Sequence, residues 1–122
     1  MKKIIALLSL TLVSCYQQER NCTDFKTGKF EFVQEINGKK NTSTFVRTEN
    51  WQIETYNGKT DTATVRWVND CEFVLQKLHP KNIEEKKAIS MKIVATKGKN
   101  YTFEYSFVGD AKKQTGTVTK ID

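Results

Sequence analysis

The amino-acid sequence predicts an all-β fold: eight short antiparallel strands in up-and-down order, closed into a barrel or rolled into a strongly curled sheet. Three observations predict it. From Gly28 onward apolar and polar residues alternate with period two, the spacing of a sheet that is wet on one face only. Turn dipeptides recur at short intervals, Asn37-Gly38 and Asn57-Gly58 foremost, because Asn and Gly accept the positive φ of a two-residue hairpin turn. Thr, Val and aromatic residues fill the intervals, as strand propensity favours.

The strands read 28–36, 40–48, 51–56, 60–68, 71–78, 89–97, 100–108 and 113–121, with Glu49-Asn50, Asn69-Asp70, Gly98 and Gly109-Asp110 as further punctuation. Several declare a face. Ala63, Val65 and Trp67 oppose Thr62, Thr64 and Arg66, and Ile89, Met91, Ile93 and Ala95 oppose Ser90, Lys92 and Thr96. Tyr101, Phe103, Tyr105 and Phe107 oppose Thr102, Glu104 and Ser106. The one break is His79–Ala88. Pro80 cannot sit in a central strand, and Asn82 followed by Glu85 has the spacing of an N-cap and its reciprocal partner, so one short helix is expected near 82–88. Strands in meander order must hide their edges, and closure is the complete solution. The expected architecture is a lipocalin-like barrel; a two-sheet sandwich is the alternative.

A barrel of eight strands is wide enough to be filled by side chains or to hold one small ligand. Tyr101, Phe103, Tyr105 and Phe107, with Trp67, are the candidate lining of such a cavity. The same row serves as core, and Phe30, Phe32, Phe45, Trp51 and Phe73 add enough bulk to favour a filled barrel. A carrier role asks for a pocket of about 300 Å³. Trp67 beside Arg66 is placed to form a cation–π pair or to close one barrel end, and plain packing is the favoured reading.

Ahead of the strands, Met1–Cys15 carries two lysines, then an apolar run from Ile4 to Val13 broken only by Ser9 and Thr11. This is the charged and apolar pattern of a secretory signal, and the run is shorter than the roughly 20 residues a membrane span requires. It ends in Leu-Val-Ser-Cys, the form of a bacterial lipobox with Cys15 as lipid acceptor. The expected organisation is a signal peptide over 1–14, a lipidated cysteine and short polar tether over 15–21, and a single domain over 22–122. Cys22 and Cys71 remain as an even pair in an oxidising compartment. A bridge between them would close a loop of about 50 residues, worth roughly 4 kcal/mol in the chain-entropy picture.

Composition narrows the function classes. The net charge of +6 falls to +4 without Lys2 and Lys3, and the charges are scattered in short Lys-Lys and Glu-Glu pairs. A nucleic-acid footprint would need a clustered stripe, so no nucleic-acid partner is expected. His79 is the single histidine, too few for a transition-metal site, and no Ser-His-Asp or Cys-His arrangement forms around it. Glu84-Glu85 reads as an exposed turn. The chain is therefore expected to have no catalytic residues, metal or cofactor, and not to be an enzyme. Gly58-Lys59-Thr60 is half a hairpin rather than a phosphate loop, because the required earlier glycine is Ile53. Asp61-Thr62-Ala63 matches the short pattern of O-glycosylation in exported Bacteroidota proteins, at Thr62, with a high chance rate for three residues.

The stretches CYQQERNC, DFKTGKFEF, RWVNDCEF, PKN with EKKAI and MKI, and TFEY with GD, KKQ and GTVTK resemble a family of small flavobacterial lipoproteins over nearly the whole chain. The resemblance implies an exported, lipid-anchored domain. Relatives of this kind sometimes carry a DNA topoisomerase IV label, which the residues oppose. The catalytic tyrosine of a type II topoisomerase follows an arginine, whereas Tyr16, Tyr56, Tyr101 and Tyr105 follow Cys, Thr, Asn and Glu.

The expectation is a monomer held to a membrane by its N-terminal lipid, in the cell envelope, on the outer membrane facing the periplasm. Tyr16 stands where inner-membrane retention would place Asp, and Tyr-Gln-Gln-Glu-Arg lacks an acidic run linked to surface export. Two roles compete: binding of a small apolar or lipid-like ligand in the barrel, and a structural or protein-interaction (inhibitor-type) role with a filled core and an envelope protein as partner. A basic balance opposes inhibition of the common lysozymes, which are themselves basic.

Overall fold

The computed structural model describes residues 20–122. The stretch 1–14 expected to be a signal peptide, Cys15 expected to carry the lipid, and the expected tether up to residue 19 lie outside the described residues. A 3₁₀ turn at Cys22–Phe25 leads into β1 (Gly28–Ile36), β2 (Lys39–Arg47), β3 (Trp51–Tyr56), β4 (Lys59–Asn69) and β5 (Glu72–Lys77). A single helical turn, α1 (Ile83–Lys86), precedes β6 (Ile89–Lys97), β7 (Asn100–Phe107) and β8 (Gln114–Lys120). Each strand pairs antiparallel with its neighbour in sequence and β1 returns to β8, closing the barrel.

The hairpins form where their turn chemistry permits. Asn37 and Gly38 (φ 52° and 77°), like Asn57 and Gly58 (51° and 73°), take the positive φ whose twist matches the flanking strands. At Gly28 (φ 137°) a Cβ would stand 2.7 Å from Lys120 Cε and 2.8 Å from the Asp122 carbonyl oxygen, so the start of β1 needs glycine where it meets the C-terminal strand.

The helix expected over 82–88 contracts to α1. Asn82 Oδ1 caps it by accepting from the Glu85 N–H (2.8 Å). The Glu85 carboxylate, however, does not close the reciprocal cap; it accepts from the Lys81 N–H (2.6 Å) and from Lys77 Nζ (2.9 Å). Lys87 is already extended, and the chain enters β6.

Alternating inward side chains build the core. Phe25, Phe30, Phe45, Ile93, Tyr101, Phe103 and Val118 pack around Cys22 at one end. Val65, Phe73 and Leu75 form a second group, with Met91 packed against both. Cys22 and Cys71 are bridged, their Cα atoms 5.2 Å apart, which ties the 3₁₀ turn to the β4–β5 turn.

Two sequence expectations are corrected and one alternative is set aside. The register shifts between Ile93 and Ala95, so Thr96 rather than Ala95 turns inward and is buried, where its Oγ1 accepts from the Asn21 N–H (2.9 Å). Trp51 is not core: it pairs with Thr64, out of phase with inward Gln52 and Glu54, and stays 42% exposed. Arg66 is exposed, and the cations over the Trp67 ring are instead Lys26 (5.1 Å) and Arg47 (5.8 Å).

Candidate functional site

The two ends of the barrel differ, because their inward side chains differ. At the closed end the 3₁₀ turn lies across the opening, and Arg47 stands beneath it, only 1% exposed. Arg47 donates to the Phe25 carbonyl, to the Lys26 carbonyl (3.1 Å), to Gln52 Oε1 (3.2 Å) and to the Tyr101 hydroxyl (3.3 Å). Its guanidinium lies 4.6 Å from the Phe30 ring centre and 4.7 Å from that of Phe73. No carboxylate forms an ion pair with it among the described residues. Carbonyl dipoles and aromatic faces therefore stabilise this cation in place of a counter-ion. Burial raises the pKa of the Tyr101 hydroxyl, with Arg47 opposing the shift.

Above this floor the barrel is hollow. Phe32, Phe45, Leu75, Ile89, Met91, Phe103 and Tyr105 surround a cavity of about 160 Å³ that opens at the far end, with Arg47, Gln52, Glu54, Tyr101 and Val118 completing its lining. Two of the lining rings are seated by Gly116 on β8, which pairs with Phe103: a Cβ there would meet Phe103 Cζ at 2.7 Å and Phe32 Cε2 at 3.2 Å, so only glycine lets these rings lie against the strand. At the rim, Ile89, Tyr105, Phe107, Lys112 and Gln114 shape a notch of about 150 Å³, where the Tyr105 hydroxyl donates to Gln114 Oε1 (2.6 Å).

One wall of the cup is polar. The Asn57-Gly58 hairpin sets Glu54 directly opposite Asp61, and both line a cleft of about 90 Å³ with Gln52, Ala63, Leu75, Lys77 and Ile89. Lys77 Nζ binds Asp61 at 3.1 Å and Glu85 at 2.9 Å. Glu54 has no hydrogen bond or ion pair among the described residues, although Lys77 attracts it. Solvent reaches Glu54 through the mouth, yet protein surrounds much of its carboxyl, and that desolvation, followed by the facing Asp61, raises its pKa above the usual carboxylate range. The hydrogen bond to Glu85, followed by that to Asp61, raises the pKa of the Lys77 ammonium against the effect of burial. Glu85 is held below the ordinary range, first by Lys77 and then by the Lys81 N–H.

The structure distributes the sequence-selected aromatic residues among three places. Tyr101, Phe103 and Tyr105 line the cup, and Phe107 lines the rim notch. Trp67 lies at the closed end against Phe73, 4.5 Å between ring centres, away from the cup. Thr62 is half-buried on β4, its carbonyl accepting from the Leu78 N–H (2.9 Å). His79 is exposed in the β5–β6 loop. Sequence reasoning missed Arg47, Glu54, Asp61 and Lys77. The hairpin register would have found the acidic pair, since counting outward from Asn57-Gly58 sets Glu54 against Asp61.

Comparison with protein-family models, curated proteins and solved structures finds no match to this chain.

Proposed function

We propose that this protein is a lipid-anchored, non-enzymatic binding protein of the cell envelope that takes the apolar part of a small ligand into the open cup of its barrel. The observation that carries the reading is the contrast between the ends: one crossed by the 3₁₀ turn, the disulfide and Arg47, beside a cleft lined by Thr23, Lys26, Val65 and Trp67, the other hollow and apolar-walled. The signal-like Met1–Cys15 and the bridged Cys22–Cys71 pair support export, an oxidising compartment and an anchor at Cys15, on the outer membrane facing the periplasm. The cavity of about 160 Å³ is below the range of about 300–1,000 Å³ typical of drug-sized ligands. The ligand, or the part that enters, is accordingly the size of one ring or a short aliphatic chain rather than a whole lipid. Asn21 is held at the closed end, its N–H donating to Thr96 Oγ1, which supports an anchor at Cys15 on the side opposite the mouth.

A second reading, an envelope protein contacted by the outer wall, is favoured by one observation. Val46 and Ile53 face each other across β2 and β3, both exposed, with exposed Trp51 beside them.

Native mass spectrometry of the protein purified from its own host tests the first reading. A stoichiometric small molecule, lost when Gly116→Leu displaces the Phe103 and Phe32 rings that line the cup, is the expected result. A clean apo mass together with no change in the Met91 methyl resonance on titration with benzyl alcohol would overturn it and leave the outer wall as the working surface. Membrane attachment is tested separately: Cys15→Ser should move the protein to the soluble fraction.

A further inference from the structure

The polar wall of the cup carries a charge imbalance that the fold does not use. Glu54 and Asp61 are directly opposite on one ladder, an arrangement of like charges that destabilises a sheet. The charged groups around them are Lys77 from β5, Glu85 from α1 behind it, and Arg47 from β2 at the floor. Lys77 is drawn to Asp61 and Glu85, and Arg47 is committed to the carbonyls of the 3₁₀ segment, Gln52 and Tyr101. Glu54 is left facing the cavity with neither a hydrogen bond nor an ion pair among the described residues. The wall sets three acidic side chains, Glu54, Asp61 and Glu85, against the one ammonium of Lys77.

The rest of the cavity is aromatic, with Phe32 from β1 and Phe103 and Tyr105 from β7. Ring faces are electron-rich and attract cations, and a carboxylate with no partner does so more strongly. An arriving cation would reduce the local excess of negative charge, whereas an anion would add to it. The volume of about 160 Å³ matches a cavity of about 150 Å³ that holds benzene.

We propose that the cup recognises a small apolar amine in its protonated form, its ammonium on Glu54 and Asp61 and its ring or short chain against Phe32, Phe103 and Tyr105. The assignment rests on the cup being a ligand site, as proposed above.

The test uses three probes of one shape and different charge: benzylamine, benzyl alcohol and benzoate. Each is titrated into the full-length protein at neutral pH while the Met91 methyl resonance is followed by NMR. Benzylamine should bind with a Kd on the order of 1 mM, the range open to so small a molecule. It should bind about tenfold more tightly than benzyl alcohol, and benzoate should bind least. Glu54→Gln, nearly isosteric, should abolish the preference for benzylamine over benzyl alcohol. Asp61→Asn should reduce the preference and provides the check if Glu54→Gln misfolds. Benzyl alcohol or benzoate binding as tightly as benzylamine would overturn the amine assignment and leave the cup as a ligand site. Binding of none of the three would instead overturn the reading of the cup itself, and the amine assignment with it.

Discussion

Replacing Arg47 by methionine should destabilise the protein by about 2–4 kcal/mol. Methionine retains the linear stem and much of the volume, so little of the cost is cavity. What is lost is the donor set. The Phe25 and Lys26 carbonyls and the Tyr101 hydroxyl lose their charged partner in a buried site, and each unsatisfied group costs about 1–3 kcal/mol. The Phe30 and Phe73 faces lose a cation at 4.6 and 4.7 Å. Relief opposes this, because a guanidinium buried without a carboxylate carries a desolvation penalty of several kcal/mol. The net figure follows from that offset. Urea denaturation with the disulfide intact, read by tryptophan fluorescence, should show a midpoint lowered by about 1–2 M at the slope usual for small domains. Arg47→Lys should fall between the two, because an ammonium cannot fork to two carbonyls. A midpoint for Arg47→Met equal to or above that of the wild type would refute the reasoning. Desolvation would then outweigh the hydrogen bonds, and the closed end would be held by packing and the disulfide alone.

Reduction of Cys22–Cys71, whose sequence separation is 49, should cost about 4 kcal/mol, seen as a lower urea midpoint in dithiothreitol than in oxidising buffer. Gly116→Ala should cost about 1–3 kcal/mol, because Phe103 and Phe32 must give way to the new methyl, and should weaken benzyl alcohol binding in the same NMR titration. The Glu54 pKa is raised on folding, so the folded state holds its proton to higher pH than the unfolded chain, and stability falls as pH rises through and above the ordinary carboxylate value of 4.5. Glu54→Gln should therefore raise the thermal midpoint at pH 7, by roughly 0.2–1 kcal/mol for removing like charges directly opposed on a ladder, and the gain should vanish below that window.

The barrel was legible because its turns are explicit. Asn37-Gly38 and Asn57-Gly58 fix two hairpins by backbone chemistry alone, and the phase of Tyr101, Phe103 and Tyr105 set β7. The site was less legible because β3 inverts the usual code. Its apolar residues Trp51 and Ile53 point outward while Gln52 and Glu54 point in, so alternation alone selects the wrong face. Such local disagreement with the pattern is expected where a surface is used for something besides folding. Arg47 escaped notice for a related reason. It shares a face with Phe45, but charge in a strand reads as solvent-facing unless the 3₁₀ carbonyls that receive it are known. The bulge at β6 was invisible because nothing in Ile93-Val94-Ala95 marks an extra residue, and it exchanged Ala95 for Thr96.

The seam between β1 and β8 is among the shortest lacings of the barrel, its register pairs extended by backbone hydrogen bonds linking Lys29 to Ile121 and Asp122. Along β1 every residue from Gly28 to Ile36 has a partner on β2, but only Phe30, Glu31 and Phe32 have partners on β8. All other strand pairs join neighbours in sequence and close short loops, whereas this pair joins the two ends of the chain. It has the highest contact order in the molecule and should zip last during folding. Its amides should also exchange soonest with deuterium, because sub-global opening begins where the fewest bonds resist it. Phe32, the last residue laced, lines the cup. The stitch that breathes most therefore borders the cup, and its opening would loosen the wall against which a bound molecule rests.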